Sequence, residues 1–152
     1  MLSSRPLFVY GSLLDREIRA VVVGRAPASG DVSAARLPEH GLFRVFGRQY
    51  PLIATRRGGM VHGLLLRHLT APELRRLDTF EGDEYRRRNV NVQDQENHWI
   101  AAQIYWPRPG LRRDRRAWRF DDWQPRERKI MLARAAAWCK EQGLSRSAAM
   151  GD

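Results

Sequence analysis

Two short stretches of this chain carry residue types that could do chemistry together. The first is Leu77-Asp78-Thr79-Phe80-Glu81-Gly82, where Glu81 is the group of interest. Upstream, Thr70, Ala71, Pro72 and Glu73 form a capping box with proline in the first turn, which predicts the start of a helix. Along it Leu74, Leu77 and Glu81 fall at i, i+3 and i+7, so the carboxylate shares the face that buries the leucines. Burial disfavours the ionised form, raises a carboxyl pKa and makes such a group a candidate general base near neutral pH. The same residues also fit a plainer arrangement, a helix-end glutamate paired with Arg86, Arg87 or Arg88, with Asp78 exposed beside it.

The second stretch is Tyr10-Gly11-Ser12-Leu13, at the junction of a strand-like run and a helical pattern. Glycine permits a sharp turn there, and the free N–H groups at a helix start form a seat for a carboxylate or phosphate. Other chemistries find less support. His40, His62, His68 and His98 show neither clustering nor helix spacing, and Cys139 is the only cysteine, so neither a metal site nor a disulfide is expected. Ser12 could be imagined with a histidine as a nucleophile pair, but no nucleophile-elbow pattern surrounds it.

The elements that must position these residues are legible in outline. Leu7 to Tyr10 reads as a strand. Leu14, Ile18, Val21 and Val22 recur at helical spacing up to Gly24, with Ser12 as the expected N-cap and Asp15 three residues on. Residues 28–53 contain short apolar runs broken by Pro38, Gly41, Gly47 and Pro51, which predicts β structure with loops. Gly58 and Gly59 suggest a turn ahead of a strand over residues 60–66. After the Glu81 helix, which Gly82 should end, two more strands are expected over residues 85–92 and 99–106, able to pair as a hairpin. Residues 107–124 read as a long connection, with Arg112, Arg113, Arg115 and Arg116 solvated and Trp118, Phe120 and Trp123 as anchors. A C-terminal helix follows over residues 125–142, stopped by Gly143.

The chain has 152 residues, 43% of them hydrophobic, a size suited to one domain spanning residues 1–152. Its apolar runs fall short of the roughly 20 residues of a membrane-spanning helix. The N-terminus lacks a signal-peptide pattern, and with the single cysteine this leads to an expected cytoplasmic location. The net charge is +10, and all basic residues except Lys129 and Lys140 are arginine. The arginines are dispersed, with no nucleic-acid-binding motif, so charge alone is weak support for a nucleic-acid partner. Nothing in the pattern specifies an oligomeric state.

Taken together, Phe8-Val9-Tyr10-Gly11-Ser12-Leu13 and Leu77 to Gly82 followed by Tyr85 resemble the γ-glutamylcyclotransferase superfamily, most closely its γ-glutamylamine and plant defence-induced branch. Tyr50-Pro51 and Gly59 to Leu65 are similar to the family's middle strands, and the resemblance covers roughly residues 6–106. It implies an α+β fold, a small mixed β-barrel flanked by helices, with substrate held at the barrel mouth. It further implies that Tyr10, Gly11, Ser12 and Leu13 form the substrate loop, that Glu81 is the catalytic acid/base, and that Tyr105 or Tyr85 stands near the substrate. The implied reaction closes a γ-glutamyl compound to 5-oxoproline and releases an amine or amino acid, without cofactor or metal. The Arg-rich segment 112–119 could line the leaving-group side and favour an anionic group. The alternative is a barrel kept as a binding module that senses γ-glutamyl metabolites, or contacts nucleic acid, without turnover.

Overall fold

The computed structural model describes residues 5–48, 50–122 and 125–141. Its centre is a ring of five strands: β1 (Leu7–Val9), β2 (Val32–Val45), β3 (Pro51–Leu66), β4 (Tyr85–Asp94) and β5 (Trp99–Pro107). The neighbours run β3-β1-β5-β4-β2, and β2 pairs with β3 to close the ring. Only β1 and β5 pair in parallel, with Phe8 opposite Ile104, so the barrel is mixed. A sixth strand, β6 (Arg113–Ala117), pairs with β2 outside the ring. Three helices complete the α+β architecture: α1 (Arg16–Val23), α2 (Ala71–Glu81) and α3 (Pro125–Glu141).

Strand periodicity divides the core in two. Alternate residues Phe8 and Tyr10 cluster with Leu37, Ile53, Leu65, Val92 and Ile104, drawn from all five ring strands, and fill the barrel. Leu7 and Val9 point the other way and pack with Ile18 and Val22 of α1, Leu74 and Leu77 of α2, and Ala135 and Cys139 of α3. Among the described residues no helix is long and apolar enough to cross a membrane.

Several elements differ from the sequence expectation. Ser12 does not cap α1. It begins a single 3₁₀ turn, Ser12–Leu14, and the cap is Asp15, which accepts hydrogen bonds from the N–H groups of Glu17 and Ile18 at 3.0 and 3.1 Å. Gly24 ends α1 with φ of +100°, as expected. The punctuated region 28–66 does not break into short strands. It forms one long hairpin, paired from Val32 opposite Leu66 to Arg44 opposite Pro51. Pro38 and the Gly58-Gly59 pair lie inside it at a shift in register, which passes from Pro38 opposite Met60 to His40 opposite Thr55. Glu39 (φ +64°) and Gly58 (φ +74°) both turn left-handed there, and the Gly58 N–H donates to Glu39 Oε2.

The second half agrees more closely. The Thr70–Glu73 capping box is reciprocal, and α2 ends at Gly82. Strands β4 and β5 form the expected hairpin, from Tyr85 opposite Pro107 to Gln93 opposite Trp99. Within residues 107–124, expected as a connection, the structure adds β6 and a 3₁₀ turn at Phe120–Asp122. Helix α3 is described to Glu141, and Trp123 and Gly143 lie outside the described residues.

Candidate active site

The strand ends that meet at one mouth of the barrel create a cavity. Its wall takes Phe8, Val9 and Tyr10 from β1 and the residue after it, Pro51 from the start of β3, Tyr85 from the start of β4, and Tyr105 near the end of β5. Gly11, Ser12 and Leu13 turn across it, Tyr50 borders it, and Glu81 reaches it from the last residue of α2. The empty space, measured out to the open mouth, is about 390 Å³. The residues singled out in the sequence, Tyr10, Gly11, Ser12, Leu13, Glu81, Tyr85 and Tyr105, all border this one space.

Each is positioned for a local reason. Intrahelical bonding in the turn starts with Leu14 N–H to Gly11 O at 2.9 Å and Asp15 N–H to Ser12 O at 3.0 Å. The N–H groups of Ser12 and Leu13 precede those bonds and are the first-turn donors a helical turn leaves free. A Cβ on Gly11 would lie 3.1 Å from Pro51 Cγ, so glycine lets the turn pass close to β3. Beneath the turn sits Arg19, 7% exposed, whose Nη1 donates to the carbonyls of Leu13 and Leu14 at 3.1 and 3.2 Å.

Glu81 sits one turn beyond Leu77, which is fully buried, and is itself half-buried where it lines the cavity. Loss of hydration raises its carboxyl pKa, and the neighbouring charge of Asp78 raises it further, to about 7. No ion pair to Glu81 occurs among the described residues. Of the three arginines expected as possible partners, Arg86 makes no ion pair among the described residues, Arg88 lies over the Trp106 ring, and Arg87 grips Asp78, with Nε on Oδ1 and Nη2 on Oδ2, each at 3.1 Å.

The tyrosines are held as protonated walls. The Tyr10 hydroxyl donates to the Tyr105 carbonyl at 2.6 Å, Tyr85 to the Pro51 carbonyl at 2.7 Å, and Tyr105 to Asp78 Oδ1 at 2.7 Å. Burial raises the pKa of all three, and the charge of Asp78 adds to it at Tyr105. Tyr50 donates to Glu84 at 2.7 Å, and burial with that hydrogen bond pushes its pKa up to about 12. Near neutral pH, Glu81 is therefore the cavity-lining group poised to exchange a proton.

Sequence reasoning did not pick out Arg19, Tyr50 or Asp78 as site residues. Arg19 and Tyr50 are joined to the site only by the fold, Tyr50 through a bond to Glu84 34 residues away. Asp78 had a usable signal, its place three residues before Glu81, but was expected to be exposed. Its side chain is 40% exposed and fully engaged by Tyr105 and Arg87. Residues 112–119 do not line the cavity: Arg112 and Arg113 stack over Phe46 and Phe43, and Arg116 pairs with Asp114.

A small mixed five-strand barrel flanked by helices is the fold of γ-glutamyl cyclotransferase-like proteins. The chain belongs to the family described as gamma-glutamyl cyclotransferase, AIG2-like, whose model matches residues 7–125. It is 34% identical over 128 residues to AIG2-like protein A of Arabidopsis thaliana, covering 83% of this chain and 76% of that protein. A solution structure of an Arabidopsis thaliana protein superposes with a TM-score of 0.64 at 25% identity, covering 99% of this chain and 93% of that one. A solved gamma-glutamyl cyclotransferase has the same fold, with a TM-score of 0.56 at 21% identity, covering 93% of this chain and 82% of that one.

Proposed function

We propose that this protein cyclises a γ-glutamyl amine or γ-glutamyl amino acid to 5-oxoproline, releasing the amine, with Glu81 as general acid/base. The single observation that carries this reading is a carboxyl with pKa raised to about 7 in the same cavity as the Gly11 turn. The reaction needs little else. The attacking α-amine and the γ-carbonyl belong to one molecule, so holding the folded conformer supplies much of the rate.

The α-ammonium is unreactive until it loses a proton, and ionised Glu81 is the acceptor. The α-nitrogen then bonds to the γ-carbonyl carbon, and the bond from that carbon to the departing nitrogen breaks. Two protons leave the α-nitrogen and two arrive on the departing nitrogen, so Glu81 ends as it began. The Ser12 and Leu13 N–H groups are suited to the substrate's carboxylate or to the developing oxyanion, and Arg19 braces the turn that presents them. The three buried tyrosines keep their protons and shape the walls.

The test is release of 5-oxoproline from a panel of γ-glutamyl compounds, compared with Glu81→Gln, which keeps the shape and removes the base. Turnover by the parent chain and a loss of at least about 10²-fold in the variant is the expected result. Binding without turnover by the parent chain would overturn the reading in favour of a sensing module.

A further inference from the structure

The cavity wall formed by Tyr85 and Tyr105 has a second face. Beyond these rings lies an open groove, also bordered by Asp78, Thr79, Gly82 and Asp83 from the end of α2, and by Arg86, Arg87 and Arg108. Glu81 stands at the partition: it borders the cavity, while Asp78 and Thr79 ahead of it and Gly82 and Asp83 after it border the groove. The departing nitrogen must lie within reach of the group that protonates it, so whatever that nitrogen carries projects past the end of α2.

The charges of this groove do not cancel. Asp78 is matched by Arg87 through both carboxylate oxygens, and Oδ1 also accepts from Tyr105. That leaves Arg86 and Arg108 against Asp83, and all three are exposed. No ion pair engages any of them among the described residues. Arg108 is fixed at its backbone, where its N–H donates to the Glu84 carbonyl at 2.9 Å, and Arg86 is held in β4 opposite Trp106. Two arginines on anchored backbone border this groove, and guanidinium groups are donors suited to a carboxylate.

We infer that Arg86 and Arg108 select substrates whose leaving group bears a carboxylate, so that γ-glutamyl amino acids or peptides are turned over in preference to γ-glutamyl derivatives of simple amines. The inference rests on the proposed cyclisation and assigns the leaving-group side to the groove at the end of α2. It replaces the expectation that residues 112–119 play this part. Of that segment, Ala117, Trp118 and Arg119 border a different groove, reached past Tyr10 and shared with Arg56.

The experiment compares kcat/KM for γ-glutamyl-alanine and γ-glutamyl ethylamide, whose leaving groups differ only in the carboxylate. An exposed charge-assisted contact contributes roughly two- to fivefold, so the two arginines together should give a preference for the alanine compound of about tenfold. In the double variant Arg86→Gln/Arg108→Gln that ratio should fall to about twofold, and 0.5 M salt should erode it in the parent chain. Arg56→Gln/Arg119→Gln, in the other groove, should leave the ratio where it was. Release of 5-oxoproline from both compounds at equal rates leaves the cyclisation standing and overturns this inference alone. So does a ratio that the first double variant keeps or the second abolishes. Release from neither compound overturns the cyclisation and this inference with it.

Discussion

At the scale of single residues, two neighbouring carboxylates differ in what holds them. Arg87 and Tyr105 bond the Asp78 carboxylate, whereas Glu81 has no such partner among the described residues, and burial pushes it towards neutrality. If Glu81 must be ionised to accept the first proton, kcat/KM should rise about tenfold per pH unit below 7 and level off above it. Asp78→Asn removes the charge that raises Glu81, leaving desolvation as the remaining cause. The acid limb of the kcat/KM profile should therefore move to lower pH, and an unmoved limb would show that Asp78 does not tune the base. Helix period put Glu81 on an inward face and glycine chemistry marked the Tyr10-Gly11-Ser12-Leu13 turn, but local pattern fitted a helix-end ion pair as well, and only the two motifs taken together pointed to a site. Arg19 was not legible, since nothing local says that an arginine on an otherwise apolar helix face will be 7% exposed and turned back onto two carbonyls.

At the scale of elements, helices were the most readable parts. Their caps are local hydrogen-bond patterns, and the Thr70–Glu73 box is a reciprocal example. The β2–β3 hairpin was the least readable, because Pro38, Gly58 and Gly59 look like breaks and are instead absorbed by one irregularity within continuous strands. Elsewhere in that hairpin a glycine has a different role. A Cβ on Gly63 would sit 2.3 Å from the Val9 carbonyl and 2.7 Å from Phe8 Cζ, where β3 crosses β1 just before the Gly11 turn. The Val9 oxygen belongs to the backbone and cannot swing aside. Gly63→Ala should therefore destabilise the fold by about 3 kcal/mol, lowering the melting temperature by roughly 6–12 °C, as thermal unfolding would measure. A variant that melts with the parent chain would mean that β1 can shift at little expense.

At the scale of the whole molecule, the raised pKa of Glu81 is also a statement about folding. In the unfolded chain this carboxyl titrates near 4.5, and in the folded chain near 7. Below both values it is protonated in either state and imposes no penalty. As pH rises through this window the unfolded chain gives up its proton first, so stability falls, and above 7 the full penalty of about 3 kcal/mol remains. Glu81→Gln should accordingly melt several degrees above the parent chain at pH 8, with the difference vanishing by pH 4. A gap that persists at pH 4 would point to packing and not to charge. The global arrangement was readable only through resemblance, since closure depends on which strands pair across long separations, and β6 escaped notice because an arginine-rich strand lacks apolar alternation. That strand has a consequence for life in a crowded solution. The outer side of β6, which ends the strand order, is one place where a stray chain could add itself. The first four of its five residues, Arg113, Asp114, Arg115 and Arg116, are charged and mostly cationic. A second copy approaching edge to edge would meet like charge, and the molecule is thereby guarded against growing into aggregates.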